Sequence, residues 1–95
     1  MALVTANAGG QIKFDQTSLS LKAGDVAIVM QNPSSSGLQH GIAVEGNGVD
    51  KSGPIVGPGK VTSTLALTLK PGTYTFYCPF DSHKAQGMKG TLTVK

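Results

Sequence analysis

Thr73-Tyr74-Thr75-Phe76-Tyr77-Cys78-Pro79-Phe80-Asp81-Ser82-His83-Lys84-Ala85-Gln86-Gly87-Met88-Lys89-Gly90-Thr91-Leu92-Thr93-Val94-Lys95 is the stretch that decides how this chain folds. Its first six residues alternate. Tyr74, Phe76 and Cys78 share one face and Thr73, Thr75 and Tyr77 the other, which is the period of a β-strand. From Gly90 to Lys95 the alternation returns, with Leu92 and Val94 inward. Between the two strands runs a loop with Cys78 at its start, His83 five residues on and Met88 five beyond that. A strand, a loop bearing three soft or borderline metal donors and a second strand therefore form one unit.

Working outward, Pro71-Gly72 reads as a turn, and Lys60 to Lys70 alternates with Val61, Ser63, Leu65, Leu67 and Leu69 on one side. So long a run with β-branched residues argues for a strand over a helix. Asp25 to Asn32 places Val26, Ile28 and Met30 on one face, and His40 to Glu45 places His40, Ile42 and Val44 on one face. Gln11 to Phe14 and Ser18 to Leu21 are shorter strand candidates. Lys22 to Asp25 reads as a turn, Pro33 to Gly37 as a loop, and Gly46 to Gly59 as a long connection with a small hairpin around Val49 to Val56. Seven to eight short strands without a helical period predict an all-β fold, a Greek-key antiparallel β-sandwich. A chain of 95 residues makes one domain, residues 1–95.

The net charge of +3 comes from lysines alone, since arginine is absent. Readers of nucleic acid rely on arginine forks, so nucleic acid is not an expected partner; the excess suits an acidic protein partner instead. No stretch is long enough to span a membrane. The opening Met1-Ala2-Leu3-Val4-Thr5 lacks a basic segment and a long apolar run, so no signal peptide is expected. A monomer is expected.

One cysteine permits no internal disulfide, so Cys78 is either a buried apolar residue or a reactive group. Its company decides. Strand parity points both His40 and Cys78 into the sandwich, where polar groups need partners. The chain's two histidines, its single cysteine and Met88 then fit one site. Two imidazoles and a thiolate with a weak axial thioether form the ligand set of a blue copper site. The thiolate and thioether stabilise Cu(I), and imidazole binds both oxidation states. Zinc takes a His2Cys set in catalytic sites, but a thioether is a poor zinc ligand and no carboxylate is placed as a base. Asp81, in the loop, reads as a turn residue. Met1 and Met30 read as start residue and core.

At these residues the sequence resembles the cupredoxins, the plastocyanin and azurin superfamily. The resemblance runs from Gln11 to Lys95 and is densest from Lys70 onward. Four residues separate Cys78 from His83, as in azurins, and four separate His83 from Met88, as in plastocyanins and auracyanins. The resemblance implies a tyrosine corner at Tyr74 and electron transfer by Cu(I)/Cu(II) cycling. His40 would be the buried imidazole and His83 the one nearer the surface, with electrons leaving through its edge. The implied apolar docking patch comprises Pro33, Leu38, Phe80 and Ala85, with Lys84 and Lys89 flanking it to steer an acidic redox protein. A location outside the cytoplasmic membrane is implied, periplasmic or extracytoplasmic, free or anchored. One departure stands out. The family usually has Asn after its first histidine ligand, tying the ligand loop to the neighbouring strand; here that residue is Gly41. Backbone N–H groups of Gly41 and Phe80 are the expected donors to the Cys78 sulfur, since Pro79 has none.

Two other readings share the ligand set. A copper oxidase or reductase needs a second metal centre, and two histidines cannot build one, although a domain cut from such an enzyme remains compatible. Copper storage or delivery is the other, and it calls for an open, exchanging site.

Overall fold

Period-two alternation becomes eight strands in the computed structural model, which describes residues 2–59 and 61–95. They are β1 (Ala2–Thr5), β2 (Ser18–Leu21), β3 (Gly24–Asn32), β4 (Ala43–Gly46), β5 (Val49–Ser52), β6 (Val61–Leu69), β7 (Gly72–Tyr77) and β8 (Lys89–Val94). One sheet has the order β1-β3-β6 and the other β2-β8-β7-β4-β5. The chain crosses between sheets after β1, β2, β3, β5 and β6, giving the expected Greek-key sandwich. The start expected at Lys60, the inward place of the Val61 side chain and the reading of Met1 lie outside the described residues.

The inner faces follow the sequence parity. Val26, Ile28 and Met30 of β3, Leu65, Leu67 and Leu69 of β6, Tyr74 and Phe76 of β7, and Leu92 and Val94 of β8 are all buried. Phe14 and Phe76 meet at the centre with ring centroids 5.6 Å apart. The Tyr74 hydroxyl donates to the Lys70 carbonyl at 2.7 Å, locking the β6–β7 corner.

Three details depart from the sequence expectation. Gln11–Phe14 forms no strand; Phe14 makes a single bridge to Ala6. Local bonds occupy this backbone instead: the Asn7 side-chain oxygen accepts from Gly9 N–H at 2.9 Å, and Asn7 N–H donates to the Lys13 carbonyl. Secondly, pairing is mostly antiparallel, but β1 runs parallel to β3 and β2 parallel to β8. Alternation gives a strand's face, not its neighbour or direction. Thirdly, the hairpin in the Gly46–Gly59 region is β4–β5, turning at Asn47-Gly48 with Asn47 at φ 49°, a dipeptide suited to a two-residue turn.

The ladder that carries the loop strand is packed without slack. A Cβ on Gly90 would stand 2.3 Å from Phe76 Cζ and 2.5 Å from the Thr17 carbonyl oxygen. Gly90→Ala should therefore cost about 3 kcal/mol, the upper part of the range for overpacking. Urea unfolding measures this; a loss below about 1 kcal/mol would mean that Phe76 and the segment before β2 yield freely.

Candidate metal centre

Strand β7 ends at Tyr77, and the next residue, Cys78, points inward with no exposed surface. The following loop is closed by its own backbone. Cys78 N–H donates to Met88 O at 3.0 Å, Met88 N–H to His83 O at 3.0 Å and His83 N–H to Phe80 O at 3.2 Å. Cys78, His83 and Met88 are thereby fixed relative to one another by the main chain. His40 comes from the other side. It precedes β4 and pairs with Val56 in both directions, N–H to O at 3.0 Å and O to N–H at 2.8 Å. The β4 ladder begins only at Ala43, later than the expected His40: the Gly53 N–H to Ile42 O bond keeps the β4–β5 register, but the His40–Val56 bridge is one residue out of it.

The three donor atoms form a tight triangle. His40 Nδ1 lies 3.2 Å from His83 Nδ1, and Cys78 Sγ lies 3.9 Å and 3.6 Å from them respectively. A point equidistant from all three is roughly 2.1 Å from each, the ordinary length of a metal–imidazole bond. Met88 is fully buried at the end of the same loop. The donor chemistry and the triangle both fit a copper ion.

Electrostatics agree. Burial, then the nearby His83, lowers the His40 pKa to about 4, so its imidazole is neutral and free to donate a lone pair. Burial raises the Cys78 pKa, and the Gly41 and Phe80 backbone N–H groups pull it partly back. Gly41 N–H donates to Sγ at 3.4 Å. Two short N–H contacts do not offset burial; a cation among the donors would, by deprotonating the thiol outright.

Around this core, Phe80 is half-buried with its ring edge-on to His83, centroids 5.3 Å apart. Pro33 and Leu38 are half-buried, and Ala85 and Lys89 are exposed. His83 is less open than expected, at 4% exposure, yet His40, Cys78 and Met88 expose nothing at all. Lys84 is not free: it pairs with Glu45 and sits 4.6 Å from the Tyr77 ring centroid. Gly41 has a steric cause. A Cβ there would lie 2.7 Å from Ile55 Cδ1, 3.1 Å from Pro54 O and 3.4 Å from Pro79 Cδ. The Pro54–Ile55 segment fills the space that a side chain at position 41 would need. Sequence reasoning overlooked Ile55, Glu45 and the buried Asn32; only Asn32 had a local signal, since it continues the inward parity of Val26, Ile28 and Met30.

Copper-binding proteins of the plastocyanin/azurin family share a sequence model that matches residues 1–95. This chain belongs to that family. Auracyanin-B of Chloroflexus aurantiacus is 32% identical over 111 aligned residues, covering 87% of this chain and 47% of the relative. A plastocyanin of Dryopteris crassirhizoma is 72% identical over 33 residues, 35% of this chain and 30% of that protein. The chain thus spans about half the length of the auracyanin-B or less of the plastocyanin it matches. Among solved structures, dithionite-reduced auracyanin from Roseiflexus castenholzii superposes with a TM-score of 0.84 at 23% identity, covering 99% of this chain and 95% of that one. Auracyanin B gives a TM-score of 0.84 at 27% identity, covering 99% and 87%. The cofactor of this cupredoxin is copper.

Two expectations follow. In the metal-free protein the folded-state pKa of His40, about 4, lies below its ordinary 6.5. Protonation therefore favours the unfolded chain, so stability is full above pH 6.5 and falls as the pH drops towards 4, by about 3 kcal/mol. Urea midpoints of the metal-free protein across this window test it, and a profile no steeper than that of His40→Gln would refute it. Gly41→Ala should destabilise by about 1–2 kcal/mol, and adding Ile55→Ala should recover most of the loss; additive losses in the double variant would show that Ile55 is not the obstacle.

Proposed function

We propose that this chain is a type 1 copper electron carrier, with His40 Nδ1, His83 Nδ1 and Cys78 Sγ as strong ligands and Met88 as the axial one. The observation that carries this reading is the triangle of two imidazole nitrogens and a cysteine sulfur inside a closed sandwich. Bound copper supplies a one-electron Cu(I)/Cu(II) couple. The protein's part is to hold still. Its ligand loop is braced by backbone bonds that do not depend on metal, and the buried ligands shut out water, so little rearrangement accompanies a change of charge. The Gly41 N–H stabilises negative charge on sulfur, and the Phe80 N–H assists it. Donors of this kind withdraw charge from the thiolate and raise the potential.

His83 alone among the ligands keeps an exposed edge, which makes it the natural exit for an electron. Pro33, Leu38, Phe80 and Ala85 would surround that exit as a small apolar patch, suited to brief docking. With Lys84 neutralised by Glu45, Lys89 is the freer of the two flanking charges for steering an acidic redox partner. Residues 1–95 would act as one monomeric domain outside the cytoplasmic membrane; among the described residues, no helix is long and apolar enough to cross one. Closure of all four ligands weighs against copper delivery. Both histidines are spent on one site, which leaves none for the second centre of an oxidase.

Titration with Cu(II) should give an intense blue or green band saturating at one copper per chain, with narrow hyperfine splitting in EPR. Weak bands with ordinary splitting would refute a thiolate ligand. Cys78→Ser should abolish the band, whereas Met88→Leu should keep it and raise the reduction potential. A Met88→Leu potential equal to or below the parent's would remove Met88 from the ligand set.

A further inference from the structure

His40 is the ligand with the least evident support. It lies outside the β4 ladder, and its neighbour Gly41 has no side chain with which to tie the two sides of the site together. The structure places a different group in that role. Asn32, the last residue of β3, is wholly buried, although its side chain is polar. Its carboxamide donates to Leu38 O at 2.9 Å and to Val56 O at 3.0 Å, and its Oδ1 accepts from the buried Ser36 hydroxyl at 2.5 Å. Leu38 lies two residues before His40, and Val56 is the residue that pairs with His40 in both directions.

We propose that the Asn32 carboxamide, oriented by Ser36, is the positioning residue for His40: it staples together the two backbone segments that hold this imidazole in the metal site. The proposal rests on the copper reading above for its purpose, but not for its geometry. Both amide hydrogens of Asn32 are used, one on each segment, so neither segment can slide without breaking a buried bond. A second anchor lies at the far end of the same strap, where the buried Ser63 hydroxyl donates to Pro54 O at 2.5 Å. The strap from Gly53 to Val56 is thus fixed at Ile42, Ser63, His40 and Asn32. None of these bonds reaches the Cys78–Met88 loop, which closes on itself. Loss of Asn32 should therefore loosen His40 and leave Cys78, His83 and Met88 in place. That selectivity separates a positioning role from a general contribution to folding.

The test compares Asn32→Leu and Ser36→Ala with the parent, first without metal. In Asn32→Leu, amide hydrogen exchange at His40 and Val56 should rise about tenfold or more, with the Cys78 and Met88 amides unchanged. In Ser36→Ala, which keeps both carboxamide donors but frees the carboxamide to turn, the rise should be smaller and confined to the same two sites. Loaded with Cu(II), Asn32→Leu should lose about tenfold in affinity, within the range for groups that orient metal ligands, and should shift the intensity ratio of its two thiolate-to-copper bands. Exchange that rises evenly over β4, β7 and β8, or does not rise at His40 in either variant, would overturn the proposal. If Asn32→Leu does not fold, Ser36→Ala decides alone. A parent protein that binds no copper while His40 exchange responds as expected would sink the electron-carrier reading and leave the staple standing.

Discussion

Three lone-pair donors held within 3.9 Å of one another in an apolar interior are the constraint on which this structure turns. Each would do better apart in water. The thiol resists ionisation because it is buried, and the His40 imidazole resists protonation for the same reason and because His83 is near. Convergence of this kind is costly unless a cation sits among the donors. The sandwich must therefore supply stability of its own to hold the arrangement. Its core does so through inward residues of both sheets meeting around Phe14 and Phe76.

Two independent devices bring the donors together. On one side, the loop between β7 and β8 is braced by main-chain bonds, so Cys78, His83 and Met88 arrive as a rigid group at the end of a tightly paired hairpin. On the other, His40 is delivered by a connection between sheets, where no ladder runs past it. The two sides touch through the Gly41 N–H and the Cys78 sulfur. The His40 side carries buried polar anchors, Asn32, Ser36 and Ser63.

The sequence announced these parts unevenly. Ligand identity was legible because the chain is sparing with such residues: two histidines and one cysteine leave little choice, and strand parity turns His40 and Cys78 inward. The fold class was legible for the same reason of parity, from Val26 to Met30, Leu65 to Leu69 and Tyr74 to Cys78. The short β1 was not, since four residues at the chain's start give too little alternation to read. Parallel pairing of β1 with β3 and of β2 with β8 leaves no local trace. Neither does the capture of Lys84 by Glu45, 39 positions away, which removes a charge that spacing alone assigns to the rim of the site. Asn32 shows the opposite failure. Its inward parity is plain in the sequence, but a polar residue at a strand end carries no mark of the two carbonyls it binds.

Gly41 and Ile55 illustrate why a departure from a family pattern need not be a loss. At position 41 a side chain could tie the ligand loop to the neighbouring strand, but it would also keep the following strap at a distance. With glycine there, Pro54 and Ile55 close over the backbone, and Pro79, the residue that follows the cysteine, borders the same space. The tie between the two sides becomes apolar packing over a backbone N–H···S contact in place of a side-chain hydrogen bond. Part of the cover remains at the surface, for Ile55 is 40% exposed while the Gly41 backbone beneath it is buried. An apolar cap keeps water from the N–H that faces the sulfur, and a hydrogen bond to a charged sulfur gains strength when water is kept away. The substitution thus exchanges a directional link for a drier one. The added demand for alignment falls on the buried bonds that hold the strap, which is where Asn32 and Ser63 stand.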